Sequence, residues 1–269
     1  MRISRAIYSA AIVISLAGLS LAASSAADAA STVRYVALGD SYSSGLGAGS
    51  YISSSGSCDR STKAYPEQWA GLNAPASFVS MACAGATTAD VIGSQVSALS
   101  ASTTLVSLTI GGNDAGFSGV METCVLGSTS SCLNAVSNAE AFINGRLPGL
   151  LENTLRTIRS HAPAAKIVLL GYPELYDLSR SSTCIGLSTR DRTALNGGAD
   201  ELDGVLSTAA GKVGGVTFAD VRHQFATHEI CDSGRWLNSV DIFALSSSYH
   251  PNANGQILGY LPVFTAAAR

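Results

Sequence analysis

A serine and an aspartate follow the first apolar segment of the chain. Residues 33–38 are typical of a buried strand that ends at Gly39, after which Asp40 and Ser41 enter a loop rich in glycine and serine. In open parallel sheets, ligands bind beyond the carboxyl ends of the strands, so Ser41 lies where chemistry is usually done. A serine hydroxyl is a weak nucleophile unless a base, normally histidine, accepts its proton. Ser41 is therefore a candidate nucleophile.

Four histidines could supply that base. His250 lies near the far end of the chain, before a proline and an asparagine. His223 and His228 flank a phenylalanine, and their spacing of five suits neither a helical ligand pair nor a strand face, so we expect structural roles for both. His161 lies at the end of a predicted helix, where we expect a capping role. His250 is the candidate base.

Four short motifs follow one another along the chain. They are Gly39-Asp40-Ser41-Tyr42-Ser43, Ala84-Gly85-Ala86, Gly111-Gly112-Asn113-Asp114 and His250-Pro251. In order, they resemble the four sequence blocks of the GDSL (SGNH) hydrolases, and the resemblance covers about residues 35–259. It implies a flavodoxin-like three-layer α/β/α sandwich with a central parallel sheet, and a carboxylic-ester hydrolase without cofactor or metal.

The resemblance also implies a role for each motif. Ser41 would be the nucleophile and His250 the base, and the backbone N–H groups of Ser41 and Gly85 would form the oxyanion hole with the side-chain amide of Asn113. Glycine lets the backbone approach a ligand closely. As alternatives, Gly85 could simply turn the chain, and Asn113 or Asp114 could cap the segment that follows them.

The third member of the triad departs from the family pattern. Most members carry an aspartate three residues before the histidine, and Ser247 occupies that position here. Because the imidazole needs a partner at Nδ1 to fix its tautomer, we expect a Ser–His dyad in which the backbone carbonyl of Ser247 or Ser248 orients His250. Asp241 is the alternative acid. Asp40 is expected to be a structural residue of its turn.

Strand-like and helix-like segments alternate along the chain, which argues for a parallel sheet covered on both faces. No internal repeat or long linker is present, so we predict a single domain over residues 30–269. The predicted strands are 33–38, 77–81, 105–110, 166–170 and 216–219. The predicted helices start near 65 and 87, extend over 138–161 and 190–212, and close the chain from 253.

Residues 1–29 have the pattern of a secretory signal peptide. Arg2 and Arg5 precede an apolar run at 6–23, and Ala27-Asp28-Ala29 is a small-x-small cleavage site. A membrane anchor is the alternative, but the alanine and serine content of the run is weak for that role. We predict a secreted, extracellular monomer that has no transmembrane anchor in its mature form.

Charge and motif content exclude several other classes of protein. The formal net charge is −3, and loss of Arg2, Arg5 and Asp28 with the signal would make it −4, so nothing indicates a nucleic-acid partner. The mature chain contains no Gly-x-Ser-x-Gly pentapeptide, and no phosphate-binding Gly-x-x-x-x-Gly-Lys-Ser/Thr motif occurs. The sequence therefore indicates neither an α/β-hydrolase nucleophile elbow nor a nucleotide site.

All six cysteines follow the signal, and an even number in an exported chain indicates disulfides. A zinc site would need close pairs such as Cys-x-x-Cys, and the sequence has none. Neighbour order suggests three bonds, and the resemblance to secreted actinomycete esterases of this family implies the same three. They are Cys58–Cys83, Cys124–Cys132 and Cys184–Cys231.

Overall, including cysteine order and spacing, the chain is most similar to the secreted Streptomyces-type lipases, esterases and phospholipases A1 of the family. We expect fatty-acyl esters as substrates, glycerophospholipids above all, and transient contact with a lipid interface. A lipid acyltransferase, a carbohydrate acetylesterase and a non-catalytic binder of lipid or cell wall are the alternatives. An apolar cleft is expected from residues in the loops near the strand ends: Tyr51, Ile52, Phe117, Val120, Met121, Val125, Leu126, Leu175, Tyr176, Leu178, Ile185 and Leu187.

Overall fold

A twisted parallel sheet forms the centre of the protein. The computed structural model describes residues 31–180, 184, 186–241 and 245–269, so the predicted signal peptide at 1–29 lies outside the described residues. Within these ranges the sheet has five strands in the order β2-β1-β3-β4-β5. They are β1 (Arg34–Ala37), β2 (Ser77–Ser80), β3 (Leu105–Leu108), β4 (Lys166–Leu170) and β5 (Val216–Ala219).

This strand order determines where a ligand can bind. It is the flavodoxin-like order, in which the chain reverses its winding direction between β1 and β3. The connections leaving these two strands diverge, and a crevice forms beyond their carboxyl ends. Residues that follow β1 and β3, including Ser41 and Asn113, are therefore placed at the mouth of the same crevice.

The central strand β3 is more buried than the edge strand β2. All four residues of β3 are buried, because helices cover the sheet on both faces and leave no polar side for the strand. Val106 of β3 pairs with Val36 of β1, which pairs in turn with Val79 on the edge strand β2. Along β2 the residues alternate between exposed and half-buried, as expected where only one face is well covered.

Helices form the two outer layers of the sandwich. On one side α2 packs against α9, and on the other α3, α6 and α7 pack together with α4 and α5 beside them. No helix in the described part of the chain is both long enough and apolar enough to cross a membrane. The helices are α1 (Ser41–Ser44), α2 (Tyr65–Asn73), α3 (Thr88–Gly93), α4 (Phe117–Leu126), α5 (Thr129–Gly145), α6 (Leu147–His161), α7 (Thr189–Gly211), α8 (Arg222–Phe225) and α9 (Leu261–Ala268).

The strand and helix predictions were largely confirmed, but the prediction of one long helix was wrong. The segment predicted as one helix over 138–161 is two helices, α5 and α6, that meet at Arg146. Pro148 explains the break, because proline has no N–H for a helical hydrogen bond and is tolerated only in the first turn, where it lies in α6. The helix α4 was not predicted. The closing helix begins at 253, as predicted, and contains a π-helical stretch at Gly255–Tyr260.

Three disulfide bonds tie loops to the sandwich. The first joins the loop after β1 to the loop after β2, and the second joins α4 to α5. The described residues include no free cysteine. The bonded pairs are those expected from neighbour order: Cys58–Cys83, Cys124–Cys132 and Cys184–Cys231.

Candidate active site

Ser41 is held in a tight turn immediately after β1. Gly39 has φ +116°, and a side chain at this position would collide with the backbone of Thr109. Asp40 then caps α1 by accepting a hydrogen bond from the backbone N–H of Tyr42. Ser41 is therefore the first residue of a short helix, where the sequence had indicated a loop.

The Asp40 carboxylate supports this turn through both of its oxygens. Oδ1 accepts hydrogen bonds from the Tyr42 N–H at 3.0 Å and from the Thr109 hydroxyl at 2.6 Å, and Oδ2 accepts one from the Tyr172 hydroxyl. Burial raises the pKa of Asp40 to about 6, although these donors favour the carboxylate. The contacts fit a structural residue of the turn.

The structure brings His250 to Ser41 across 209 positions of sequence, with Nε2 of the ring 2.7 Å from Oγ of the serine. The other ring nitrogen, Nδ1, lies 3.0 Å from the backbone carbonyl of Ser248. Burial lowers the pKa of His250 to about 4, and the hydrogen bond to that carbonyl opposes the shift. A neutral imidazole with its Nδ1 proton directed at a carbonyl presents an acceptor nitrogen to the serine hydroxyl.

The two serines before His250 have different functions. The Ser248 carbonyl contacts the ring, whereas the Ser247 carbonyl accepts bonds from the backbone N–H of His250 at 3.4 Å and the side-chain amide of Asn238 at 3.2 Å. Asp241 contacts this turn through its backbone N–H, which donates to the Ser248 hydroxyl at 2.9 Å. In this structure the ring therefore has a carbonyl, and not the Asp241 carboxylate, at Nδ1.

Asn238 fastens the histidine turn to the serine side of the site. Its backbone N–H donates to the His250 carbonyl at 2.9 Å, and its own carbonyl accepts from the N–H of Tyr249 at 2.8 Å. Its side-chain amide also donates to the Gly47 carbonyl at 3.0 Å, in the loop that follows α1. No pattern in the sequence indicates this residue, since an isolated asparagine in a loop is common.

Gly85 lies in the loop after β2, on the same edge of the sheet as Ser41. Its φ of +80° is in the region that favours glycine. Two residues earlier, the backbone N–H of Cys83 donates to the Gly39 carbonyl at 3.0 Å, which joins the loops after β2 and β1. Gly85 thus both turns the chain and lies in a loop bonded to the turn before Ser41.

Asn113 follows β3 and lines the cavity that begins at Ser41. Its side-chain amide donates to the Ala86 carbonyl at 2.9 Å, which links it to the loop of Gly85. Asp114 accepts hydrogen bonds from the backbone N–H and the hydroxyl of Thr88, at the start of α3. The alternative in which either residue caps the following helix is wrong, because α4 begins after Gly116 without a side-chain cap.

An apolar cavity of about 80 Å³ extends from Ser41 between the helices of one outer layer. The helices contribute apolar or small side chains, and Tyr172, Pro173 and Leu175 after β4 close another side. The helical residues of the lining are Phe117 and Val120 on α4, Val136, Ala139 and Ile143 on α5, and Leu195, Gly198, Ala199 and Leu202 on α7.

Most of this lining differs from the predicted cleft. Phe117, Val120 and Leu175 were correctly placed, but the prediction did not include helices α5 and α7, which supply much of the wall. Ile185 lies outside the described residues. Of the others, Tyr51 and Leu126 are exposed, Met121 is buried in the core, Ile52 and Leu178 are half-buried, and Val125, Tyr176 and Leu187 line a second cavity.

The remaining histidines lie elsewhere. His228 stacks on the Trp236 ring with the ring centroids 3.7 Å apart, and its Nδ1 lies 2.9 Å from the Gly234 carbonyl. His223 is exposed on α8, and His161 is the exposed last residue of α6. Across the described ranges, no group of three or more histidine, cysteine, aspartate or glutamate side chains could hold a metal ion.

A serine hydrogen-bonded to a histidine at the carboxyl edge of a parallel five-stranded sheet is typical of serine esterases built as α/β/α sandwiches. The chain belongs to the GDSL-like lipase/acylhydrolase family, whose model matches residues 37–257. It is accordingly a carboxylic-ester hydrolase.

Relatives from Streptomyces match nearly the whole chain. Lipase 1 of Streptomyces coelicolor is 52% identical over 92% of this chain and 91% of its own length, and a lipase of Streptomyces rimosus is 47% identical over 99% and 100%. The crystal structure of phospholipase A1 from Streptomyces albidoflavus NA297 superposes with a TM-score of 0.85 at 51% identity, covering 88% of this chain and 99% of that one. The extracellular lipase of Streptomyces rimosus gives 0.84 at 50% identity, covering 87% and 99%.

Proposed function

We propose that this protein is a secreted serine lipase that hydrolyses fatty-acyl esters, with glycerophospholipids as its main substrates, through an acyl-enzyme on Ser41. The observation that carries the proposal is the 2.7 Å contact between Ser41 Oγ and His250 Nε2 at the mouth of an apolar cavity. The contact supplies an activated nucleophile, and the cavity supplies a place for an aliphatic acyl chain.

Acylation begins when Ser41 Oγ attacks the ester carbonyl carbon. His250 Nε2 takes the hydroxyl proton as the new C–O bond forms, and the carbonyl oxygen becomes an oxyanion. The imidazolium then gives this proton to the alcohol oxygen as the old C–O bond breaks. The Nδ1–H donates a hydrogen bond to the Ser248 carbonyl throughout, with Nδ1 and the oxygen 3.0 Å apart, so the carbonyl holds the ring in the orientation that both transfers need.

The oxyanion requires donors that are fixed before the reaction. We assign this role to the backbone N–H groups of Ser41 and Gly85 and to the side-chain amide of Asn113. The hydrogen bond from Asn113 to the Ala86 carbonyl supports the assignment, because it uses one of the two amide protons and fixes the direction of the other. Loss of one such donor typically costs about 3–4 kcal/mol of transition-state stabilisation.

Deacylation repeats the same transfers with water as the nucleophile. His250 takes a proton from the water as its oxygen bonds to the acyl carbon, and returns it to Ser41 Oγ as the acyl-enzyme bond breaks. Burial lowers the pKa of His250 to about 4, so the ring is neutral near pH 7, the form in which Nε2 has a lone pair for the proton.

Two sets of observations support the substrate and the compartment. The relatives named as lipases and as a phospholipase A1 share about half of their residues with this chain, and the cavity wall beside Ser41 is almost entirely apolar. The predicted signal at 1–29 and the three disulfides favour export, since disulfides persist in oxidising compartments.

The test combines an active-site label with a substrate panel. An organophosphate probe should modify Ser41, located by mass spectrometry, and Ser41→Ala and His250→Ala should each lower ester turnover by at least about a thousandfold. The matched controls are Ser54→Ala, an exposed serine in the loop after α1, and His223→Ala, an exposed histidine on α8; both should remain active. A folded protein that resists labelling and hydrolyses no ester would instead be a non-catalytic binder.

The panel itself should contain phosphatidylcholine vesicles, a triglyceride emulsion and an acetylated sugar. Hydrolysis of the phospholipid at the greatest kcat/KM supports the proposal, and preference for the acetylated sugar would mean a carbohydrate acetylesterase. Adding a sterol to the vesicles tests transfer, because sterol ester in place of free fatty acid would identify an acyltransferase.

A further inference from the structure

Two adjacent glycines, Gly197 and Gly198, lie in the interior of the 23-residue helix α7. Glycine is less favourable there than alanine, because its unfolded backbone has more conformational freedom to lose. The helix has good start signals, since Ser188 and Asp191 form a reciprocal capping box at its first turn. The glycine pair is therefore a local weakness in a helix that is otherwise well specified.

Packing does not require glycine at either position. A Cβ built on Gly198 would have the Val136 methyl Cγ1 as its nearest neighbour, at the ordinary contact distance of 3.8 Å. A Cβ built on Gly197 would meet nothing within 4 Å. Alanine would fit both positions, so close approach of another backbone cannot explain them.

The two glycines differ in what they face. Gly198 lines the cavity beside Ser41, together with Leu195 and Leu202, which occupy the same side of α7 at helical spacing. Gly197 is not part of the lining. Opposite Gly198 lies Val136 of α5, so a side chain at position 198 would extend into the space between the two helices.

We propose that Gly198 determines how long an acyl chain the cavity accepts. The inference rests on the proposed function, since it takes the cavity to be the acyl site. The missing side chain leaves room for aliphatic carbon between α5 and α7, where a larger residue would meet the chain first. A short acyl group fills less of the cavity than a long one, so the effect of a side chain at position 198 should grow with acyl length.

The experiment compares the same substitutions at the two adjacent positions. We would measure kcat/KM of Gly198→Ala, Gly198→Leu, Gly197→Ala and Gly197→Leu with p-nitrophenyl acetate, octanoate and palmitate. Gly198→Leu should lower the palmitate-to-acetate ratio of kcat/KM at least about tenfold, and Gly198→Ala should lower it less. The Gly197 variants change helix propensity equally but add nothing to the cavity, so their ratios should match the parent.

Folding and the active site are monitored separately from selectivity. Thermal unfolding and stoichiometric organophosphate labelling of Ser41 show whether each variant is intact, and if Gly198→Leu does not fold, Gly198→Ala decides the question. An unchanged ratio in a folded, labelled Gly198 variant overturns the inference, and so does an equal shift at Gly197. A parent protein that hydrolyses none of the esters and takes no label would overturn the proposed function itself.

Discussion

The hydroxyl of Tyr42 donates a hydrogen bond to the backbone carbonyl of Tyr249, 2.7 Å away. It thereby joins the residue directly after Ser41 to the residue directly before His250. Tyr249 has φ +65°, a conformation that non-glycine residues rarely adopt, so the histidine turn needs such external support. The Tyr42 ring also lies 5.2 Å from the imidazole, centroid to centroid. Tyr42 is thus placed to hold the histidine turn beside Ser41.

Replacement of Tyr42 by phenylalanine removes this bond and keeps the ring. We expect kcat to fall about two- to tenfold, which corresponds to the 0.5–1.5 kcal/mol net contribution of one hydrogen bond, while KM stays nearly constant. The control is Tyr35→Phe, which removes a buried hydroxyl that bonds to Ser107 at 2.6 Å in the sheet. Both variants should lower Tm, but only Tyr42→Phe should lower kcat. Equal kcat values would show that the bond only stabilises the fold.

Because His250 is buried, we expect activity to fall only at an unusually low pH. The ring accepts the serine proton only when neutral, so activity is lost as the pH falls through its pKa. Burial places that pKa at about 4, compared with 6.5 for a solvated imidazole. We therefore expect kcat/KM for a short, soluble ester to be nearly constant from neutrality to about pH 5 and to fall below it.

Asp40 provides the control for this profile, because burial raises its pKa to about 6 and its protonation would change the hydrogen bonds that its carboxylate accepts in the turn at Ser41. In Asp40→Asn, an acid limb set by His250 should remain where it was. A limb near pH 6 that disappears in this variant would assign it to Asp40. A limb near 6.5 in both proteins would contradict the low pKa of the histidine.

The sheet could be predicted closely from sequence. Strand β4 has the predicted bounds because a central strand covered on both faces is a run of buried apolar residues. Strand β5 also has the predicted bounds, although it is an edge strand with only Ala219 buried. The turn at Gly39 was also indicated, since an apolar run that stops at a glycine predicts a strand end. The glycine-bearing blocks placed Ser41, Gly85 and Asn113 on one edge of the sheet because each follows a strand, whereas His250 was assigned from its residue type and from the family resemblance.

The cavity could not be predicted in the same way. Leu195 and Leu202 lie on one side of α7. Their spacing shows that this side is apolar, but it does not show whether the space opposite is filled.

The carbonyl that contacts His250 could not be predicted either, because Ser247 and Ser248 each have one that could reach the ring. Only the backbone path of the turn decides between them, and that path depends on hydrogen bonds to Asn238, which no sequence pattern indicates.

The histidine turn predicts a small effect for Ser247→Ala. The Ser247 carbonyl, which is retained, bonds to Asn238 at 3.2 Å, and the carbonyl that contacts the ring belongs to Ser248. We expect kcat/KM within about twofold of the parent, in contrast to the large loss in His250→Ala. Steady-state kinetics on a short ester measures both. A loss of tenfold or more would mean that the Ser247 hydroxyl itself supports the imidazole.

The disulfides are expected to differ in how they affect catalysis. The Cys58–Cys83 bond closes a loop of 25 residues and lies two residues from Gly85, whereas Cys124–Cys132 spans 8. From loop size alone, the two should stabilise the fold by about 3.5 and about 2.5 kcal/mol. The backbone N–H of Cys83 also donates a hydrogen bond to the Gly39 carbonyl. Loss of the first disulfide should therefore also loosen the loop of Gly85, whose N–H is a proposed oxyanion donor.

Paired alanine variants separate stability from catalysis. Removing Cys58–Cys83 should lower Tm more than removing Cys124–Cys132, and at temperatures well below both transitions only the first should also lower kcat. The comparison works because each double variant removes one disulfide and introduces the same two side chains. If both lose kcat equally while folded, the effect is not specific to the loop of Gly85. If neither loses kcat, the hydrogen bonds of Cys83 and Ala86 suffice to hold Gly85 without the disulfide.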